Sequence, residues 1–333
     1  MCEDDTQFVK GSEKLVDPIE VGSIHFIQGL NKLLPKSLQE FLSKQSSKTS
    51  KYMGFVVEPY CSFLFYKITN LDEAKDLLPE GFKLIKTRIF ADDVPDYYAI
   101  LGSFRVHTSA FWGSRIEFYL IAENEATGML TWVILEYDSN TIGQDKKYGL
   151  RDPSAPKAVI TINHRGTVIV DVNNPSLSRK IAYNFNVNSG VMTPLDERLW
   201  IEGNLSITHG KELNGSAKDV FALKFAPCEM EKALKINPEN IEGIENSWYQ
   251  NIIESKPIMG VCFPYAQHFL SETTGNQSKL RNKDDLIKAL SVLDFNSIKP
   301  FSVKSLRNLV LFQNVVTTAM GLIILILLYI ILR

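Results

Sequence analysis

The sequence has almost no surplus of charge. Its 38 acidic and 36 basic residues leave a formal net charge of −2, so no basic field gathers nucleic acid and no such partner is expected. Cysteine is scarce as well. Cys2, Cys61, Cys228 and Cys262 are too widely spaced for a zinc knuckle and too few for a disulfide framework, so ordinary thiols in a reducing compartment are expected. The five histidines, His25, His107, His164, His209 and His268, are scattered, with no two at ligand spacing on one element. That speaks against a metal site. There is no G-x-G-x-x-G, no G-x-x-x-x-G-K-[ST], no H-E-x-x-H and no G-x-S-x-G. Dinucleotide, P-loop, zincin and serine-hydrolase chemistries therefore lack their local signatures, and no cofactor is expected. The first thirty residues hold no basic start followed by an apolar stretch, so no export signal is expected either.

What is present is concentrated at the far end. Val315 to Leu332, VVTTAMGLIILILLYIIL, is an eighteen-residue run without charge or proline, followed by Arg333. A helix needs roughly twenty apolar residues to cross a hydrocarbon core of ~30 Å. Residues 309–332 supply that length if Gln313 and Asn314 sit near the headgroups, and a partnership with the lipid bilayer through this segment follows. Lys299, Lys304 and Arg307 precede the run and no acid follows Asp294; the excess of positive charge puts the main domain on the cytoplasmic side of a single-pass membrane protein. The triplets at Asn204, Asn214 and Asn276 match the glycosylation pattern but would go unused there.

The chain divides into a polar lead-in (residues 1–53), a β domain (54–274), a helix and tether (275–308) and the membrane helix (309–332). Within the lead-in, Phe26 to Leu42 reads as an amphipathic stretch interrupted by Pro35, suited either to the membrane surface or to packing on the domain. Before the anchor, LRNKDDLIKALSVL reads as one helix. In the β domain, CSFLFYKI, YYAILGSFRV, RIEFYLIA, GMLTWVILEYD, AVITINHRGTVIVDV, RKIAYNFNV, RLWIEGNLSI and KDVFALKFA are short runs rich in aromatic and β-branched residues. Breaks of Gly, Asn, Asp or Pro separate them, which predicts a closed or strongly curved antiparallel sheet. One helix precedes most of it, LDEAKDLL, with Asn70 as N-cap and Pro79 as stop.

The chemistry-bearing feature is a lysine pair. In S-N-T-I-G-Q-D-K-K-Y-G-L-R-D-P (Ser139 to Pro153) a strand ends and the chain turns through Gly143 into Lys146 and Lys147. A free lysine, of pKa ~10.4, is protonated at neutral pH and attacks a carbonyl poorly. A second cation beside it, or a dry pocket, disfavours the charged form and frees the amine lone pair for a Schiff base. The same residues, with Asp145 beside them, also read as a solvated turn, and an adjacent carboxylate raises a lysine pKa. In R-I-E-F-Y-L, period-two alternation puts Arg115, Glu117 and Tyr119 on one strand face and Ile116, Phe118 and Leu120 on the other. The polar face either lines a cavity and orients a polar ligand, or faces water. The aromatic residues Phe104, Phe111, Trp112 and Phe118 are expected to fill the core.

The order of these elements resembles the acetoacetate decarboxylase-like family over roughly Tyr60 to Phe269. The resemblance is carried by a strand, the helix Leu71 to Gly81 ending in Leu-Leu-Pro-Glu-Gly, an F-x-G-S-R-x-E-like turn (Phe111 to Glu117) and then G-Q-D-K-K-Y-G. It implies a mainly β (α+β) fold, a curved or cone-like antiparallel β-barrel around a small cavity. It also implies Lys146 as Schiff-base former, Lys147 as its electrostatic neighbour and Glu117 as the cavity carboxylate. The chain departs from the family where Gln144 and Asp145 replace an aromatic residue and proline before the pair, and where Glu58, Pro59 and Tyr60 stand in place of an arginine. Two functions of different class follow: a membrane-tethered domain that binds a small or lipid-like carboxylate without the full catalytic set, or an active decarboxylase or aldolase-like lyase that uses Lys146 on a keto acid. A protein-interaction module is the third.

Overall fold

Residues that crowd a helix but fit a pleated surface are concentrated where the strands fall. A computed structural model describes residues 5–18, 52–108, 111–145, 149–207, 220–221, 223–272, 279–295 and 304–332, with residues 21, 35, 37 and 298. The elements run α1 (Thr6–Lys14), β1 (Tyr52–Val57), β2 (Cys61–Lys67), α2 (Leu71–Asp76), β3 (Phe82–Leu84), β4 (Tyr98–Thr108), β5 (Trp112–Asn124) and β6 (Leu130–Ser139). Next come β7 (Gly143–Asp145), β8 (Gly149–Arg151), β9 (Val159–Ile162), β10 (Thr167–Asn174), β11 (Arg179–Asn186), β12 (Val191–Pro194) and β13 (Asn204–Ile207). The last are β14 (Val220–Phe221), β15 (Leu223–Phe225), β16 (Lys232–Ile236), β17 (Glu242–Asn246), β18 (Met259–Phe263), β19 (Gln267–Glu272), α3 (Lys283–Ser291) and α4 (Lys304–Leu332).

The large sheet follows the order β12-β16-β18-β2-β4-β5-β6-β13-β14, with β1, β3, β15 and β19 off this path; β17-β11-β10-β9 form a second sheet and β7-β8 a hairpin. Its pairing is mostly antiparallel, with β13 parallel to β6. The described strands do not close into the expected barrel. The hydrogen-bonded path has two ends, β12 and β14, and the sheet forks at β4. That strand gives Tyr98–Ser103 to β2 and Val106–Thr108 to β1. The branch then continues through β19 to β15. β14 pairs with β13 instead, and residue 222 between β14 and β15 lies outside the described residues.

Strands β4, β5 and β6 are buried on both faces. On one, Ile116, Phe118 and Leu120 pack with Val168, Val170, Tyr183 and Phe185 of the second sheet. On the other, Phe63, Phe65, Tyr119, Trp132, Trp200 and Phe263 pack together. Phe63 meets Trp200 edge-on at 5.5 Å, and Tyr119 meets Trp132 likewise at 5.3 Å. Such pairs contribute about 0.5–1.5 kcal/mol beyond their burial. The aromatic residues expected in the core do not all lie there: Phe118 is fully buried, whereas Trp112 is 45 % exposed.

Local signals hold where nothing larger competes. Asn70 caps α2, its side chain accepting the Glu73 N–H at 3.3 Å, and α3 forms within the predicted LRNKDDLIKALSVL. RLWIEGNLSI is a strand only from Asn204 onward; Arg198–Glu202 forms a wide helical turn. Tertiary contacts override propensity there. The Trp200 indole donates to the Ile89 carbonyl at 2.9 Å, and the Glu202 carboxylate accepts the Leu130 N–H at 2.8 Å. Cys61 and Cys262 are buried free thiols, but Cys228 is disulfide-bonded, which corrects the expectation of four ordinary thiols. Spacing along a chain does not report which sulfurs meet in space. The Phe26 to Leu42 stretch falls almost wholly outside the described residues. α4, 29 residues and about 43 Å long, contains Asn314–Leu332, a segment of mean hydropathy 2.8 with none of it buried. This one helix is long and apolar enough to cross a membrane.

Candidate functional site

Period-two alternation in β5 puts Arg115, Glu117 and Tyr119 on the face that carries Phe63 and Trp132, not in water. Glu117 and Tyr119 are each 5 % exposed. The Arg115 Nε and the Tyr119 hydroxyl both donate to the Glu117 carboxylate, one to each oxygen. Burial of a carboxylate is unfavourable unless its charge is matched and its lone pairs are filled, and these neighbours do both. Burial also opposes the charge of Arg115, but Glu117 more than offsets this and its pKa is raised. The Tyr119 phenol is pushed well above its ordinary value by burial and by the Glu117 charge beside it.

Neighbouring strands complete the setting. The register pairs Glu117 with Gly102 on β4 and with Tyr137 on β6. A Cβ on Gly102 would lie 2.9 Å from the Phe63 ring and 3.1 Å from that of Tyr119, so the position takes no side chain without displacing a ring. The Arg115 guanidinium lies over the Tyr137 ring, 3.7 Å from its centroid, and its two terminal amino groups make no hydrogen bond among the described residues. A planar cation clamped at Nε, backed by an aromatic face and with no described partner at its fork, can pair with a carboxylate through two parallel donors. Close by, Cys61 donates to Gln267 at 3.0 Å, and burial raises its pKa. That thiol is a weak nucleophile where it stands.

Arg115 pairs across the sheet with Ser139, the last residue of β6. The chain leaves that point toward the β7-β8 hairpin, in which Asp145 pairs with Gly149. Lys146 and Lys147 lie between these two residues and outside the described ones. The root of the excursion is fixed. Asn140 accepts the Ser114 N–H at 2.8 Å, and Ser154 accepts the Ser139 N–H at 3.0 Å. Arg115, Glu117 and Tyr119 are thus brought together, at the end of β6 from which the lysine segment departs.

Tyr137 and Gly102 escaped sequence reading, since only cross-strand register identifies them. A second polar cluster did too. On the opposite face of β6, the Asp138 carboxylate accepts Asn174 Nδ2 at 2.6 Å and Arg179 at 3.2 Å, and Arg179 also pairs with Glu136. Glu58, one of the departures noted above, accepts from His107 at 2.6 Å and pairs with Arg105 at 3.2 Å. It lines a cleft of about 70 Å³ with Tyr60, Arg105 and Ile160. Among the described residues no group of His, Cys, Asp or Glu is arranged to hold a metal ion.

No protein-family profile matches the chain, and no curated protein matches it in sequence. Among solved structures it is similar to the enduracididine biosynthesis enzyme MppR with HEPES buffer bound, at 11 % identity and TM-score 0.41, covering 67 % of this chain and 86 % of that one. It is similar also to acetoacetate decarboxylase from Legionella pneumophila, at 10 % identity and TM-score 0.41, covering 66 % and 84 %. At these values the likeness carries no residue role.

Proposed function

We propose that this chain is a membrane-tethered binding domain that takes a small or lipid-like carboxylate on the Arg115 guanidinium. The supporting observation is the Arg115–Glu117–Tyr119 cluster: a buried arginine held at one nitrogen and backed by Tyr137, its remaining donors without a hydrogen bond among the described residues. Glu117 balances the charge of Arg115, and the ligand carboxylate joins as a second anion. Its favourable part is a bidentate, charge-assisted pair of hydrogen bonds. The surrounding Phe63, Trp132 and Phe263 rings suit an apolar remainder of the ligand. The apolar α4 segment would keep the domain where lipid-like carboxylates are found.

The test is titration with cis-parinarate and with acetoacetate, followed by fluorescence and calorimetry. Arg115→Gln is expected to weaken binding about tenfold to a hundredfold, from the ~1.5–3 kcal/mol of a hydrogen bond to a charged group. Equal affinity in the variant would sink the reading.

The departure of the lysine segment from the end of β6 that pairs with Arg115 favours a second reading, an active lyase. Here the Lys146 amine attacks the ketone carbon of a keto acid and water leaves; the protonated imine takes the electrons of the breaking carbon–carbon bond as CO2 departs, and the resulting enamine is protonated and hydrolysed by water to free the ketone and the lysine. Borohydride in the presence of a keto acid would then leave a covalent adduct that Lys146→Ala abolishes. No adduct with any keto acid removes the lyase and leaves the binder.

A further inference from the structure

The lead-in and the segment before the apolar helix meet on the same part of the sheet. α1 lies against β1 and β19: Phe8 and Leu15 pack with Leu270, and with the half-buried Leu290, Leu293, Phe295 and Ile298 that precede α4. Two glycines make the fit possible. A Cβ on Gly11 would overlap the Phe295 ring, and one on Gly54 of β1 would stand 2.6 Å from the Leu15 Cβ. Phe8 meets Phe295 edge-on, with 5.6 Å between ring centroids. A polar bridge closes the same contact: His268 of β19 has Nδ1 2.7 Å from Glu229 and Nε2 3.3 Å from Glu13 of α1, and its backbone N–H donates to Glu229 at 2.7 Å.

We propose that α1 is a strap that holds the segment around Phe295 against the β1–β19 side of the sheet, with the Glu13–His268–Glu229 bridge as its catch. It thereby sets how closely the domain rides on the bilayer, a consequence that rests on the membrane reading above. Chain length gives the scale. From Ile298 to Lys304 is six residues, at most about 20 Å, and the helical stretch from Lys304 to Asn314 adds about 15 Å. With the strap closed, the apolar segment begins within about 35 Å of the packed residue Ile298.

The catch responds to pH in a definite direction. Burial opposes the charge of His268, and the Glu229 and Glu13 carboxylates outweigh it, so the pKa is raised. Among the described residues no further charge closes on the ring: β1 presents Val56 opposite His268, Lys224 of β15 is directed at the Tyr52 ring, and Lys10 and Lys14 of α1 are exposed. A group whose folded-state pKa is raised contributes fully below its unfolded value, about 6.5, and loses that contribution as pH rises through the folded value. The strap is therefore tighter in mild acid and looser in alkali.

Hydrogen exchange on the full chain in detergent micelles tests this at about pH 6 and about pH 9, corrected for intrinsic rates. In Gly11→Leu and Phe295→Ala, residues 6–14 and 293–298 should exchange about tenfold faster, with β4, β5 and β6 unchanged. His268→Gln should flatten the pH dependence of α1. Unchanged protection of 293–298 in Phe295→Ala, with an intact sheet, overturns the strap even if Gly11→Leu fails to fold. A pH dependence that survives His268→Gln overturns the catch. Flotation with phosphatidylcholine vesicles keeps the two readings apart: wild-type protein that does not float removes the membrane consequence but not the strap.

Discussion

Two arginines address opposite faces of the large sheet, Arg115 from within it on β5 and Arg179 from β11 of the second sheet. Arg115 lies over Tyr137 and pairs with Glu117 two residues along the same strand; Arg179 lies over Trp248, 4.8 Å from the ring centroid, and pairs with Glu136 and Asp138 on another sheet. The second arrangement joins β6 to β11, so its partners arrive only when the two sheets pack. The first is local to β5 and needs no second sheet. Similar pairs thus take different places: one bridges the two sheets, and the other closes within a strand, with no described partner on its terminal nitrogens.

The largest expected effect separates them by stability. Arg179→Met strands Asp138, 1 % exposed, without its cation, and should destabilise the domain by about 3–5 kcal/mol in urea unfolding. Arg115→Met leaves Glu117 with its Tyr119 hydrogen bond and should lower stability by less, about 1–3 kcal/mol. Equal losses would erase the distinction. Ligand binding should reverse the order, with Arg115→Gln losing cis-parinarate and the folded fraction of Arg179→Lys keeping it. A smaller effect is expected at Tyr119→Phe, about 1 kcal/mol, read from the urea midpoint. Alkaline titration sharpens the same point. Because the folded pKa of Tyr119 is raised, the stability it contributes is present below about pH 10 and lost as pH rises beyond it. Absorbance at 295 nm should therefore show a phenol that ionises only with unfolding, missing in Tyr119→Phe.

Much of the fold was legible. The strand at RIEFYLIA, the Asn70 cap and the terminal apolar helix each follow from signals within a dozen or two residues. Arg115, Glu117 and Tyr119 were placed on one face by alternation alone, but whether that face met water or the interior was open. Alternation groups side chains by face but does not say what each face meets, and here the polar face is buried. The division of Phe104, Trp112 and Phe118 among different surroundings was illegible for the same reason. RLWIE misled because its β propensity is genuine, yet the Ile89 carbonyl and the Leu130 N–H lie far away in sequence and claim its side chains.

The sequence by itself determined that this chain is mainly β with an apolar helix at its end, because alternation and hydropathy act over a single element. Tertiary structure alone decided that the sheet forks at β4, that Arg115 rests on Tyr137, and that α1 reaches across to Phe295. Each depends on which distant strands share an edge, and register is set by the packing of whole faces rather than by any residue's own preference.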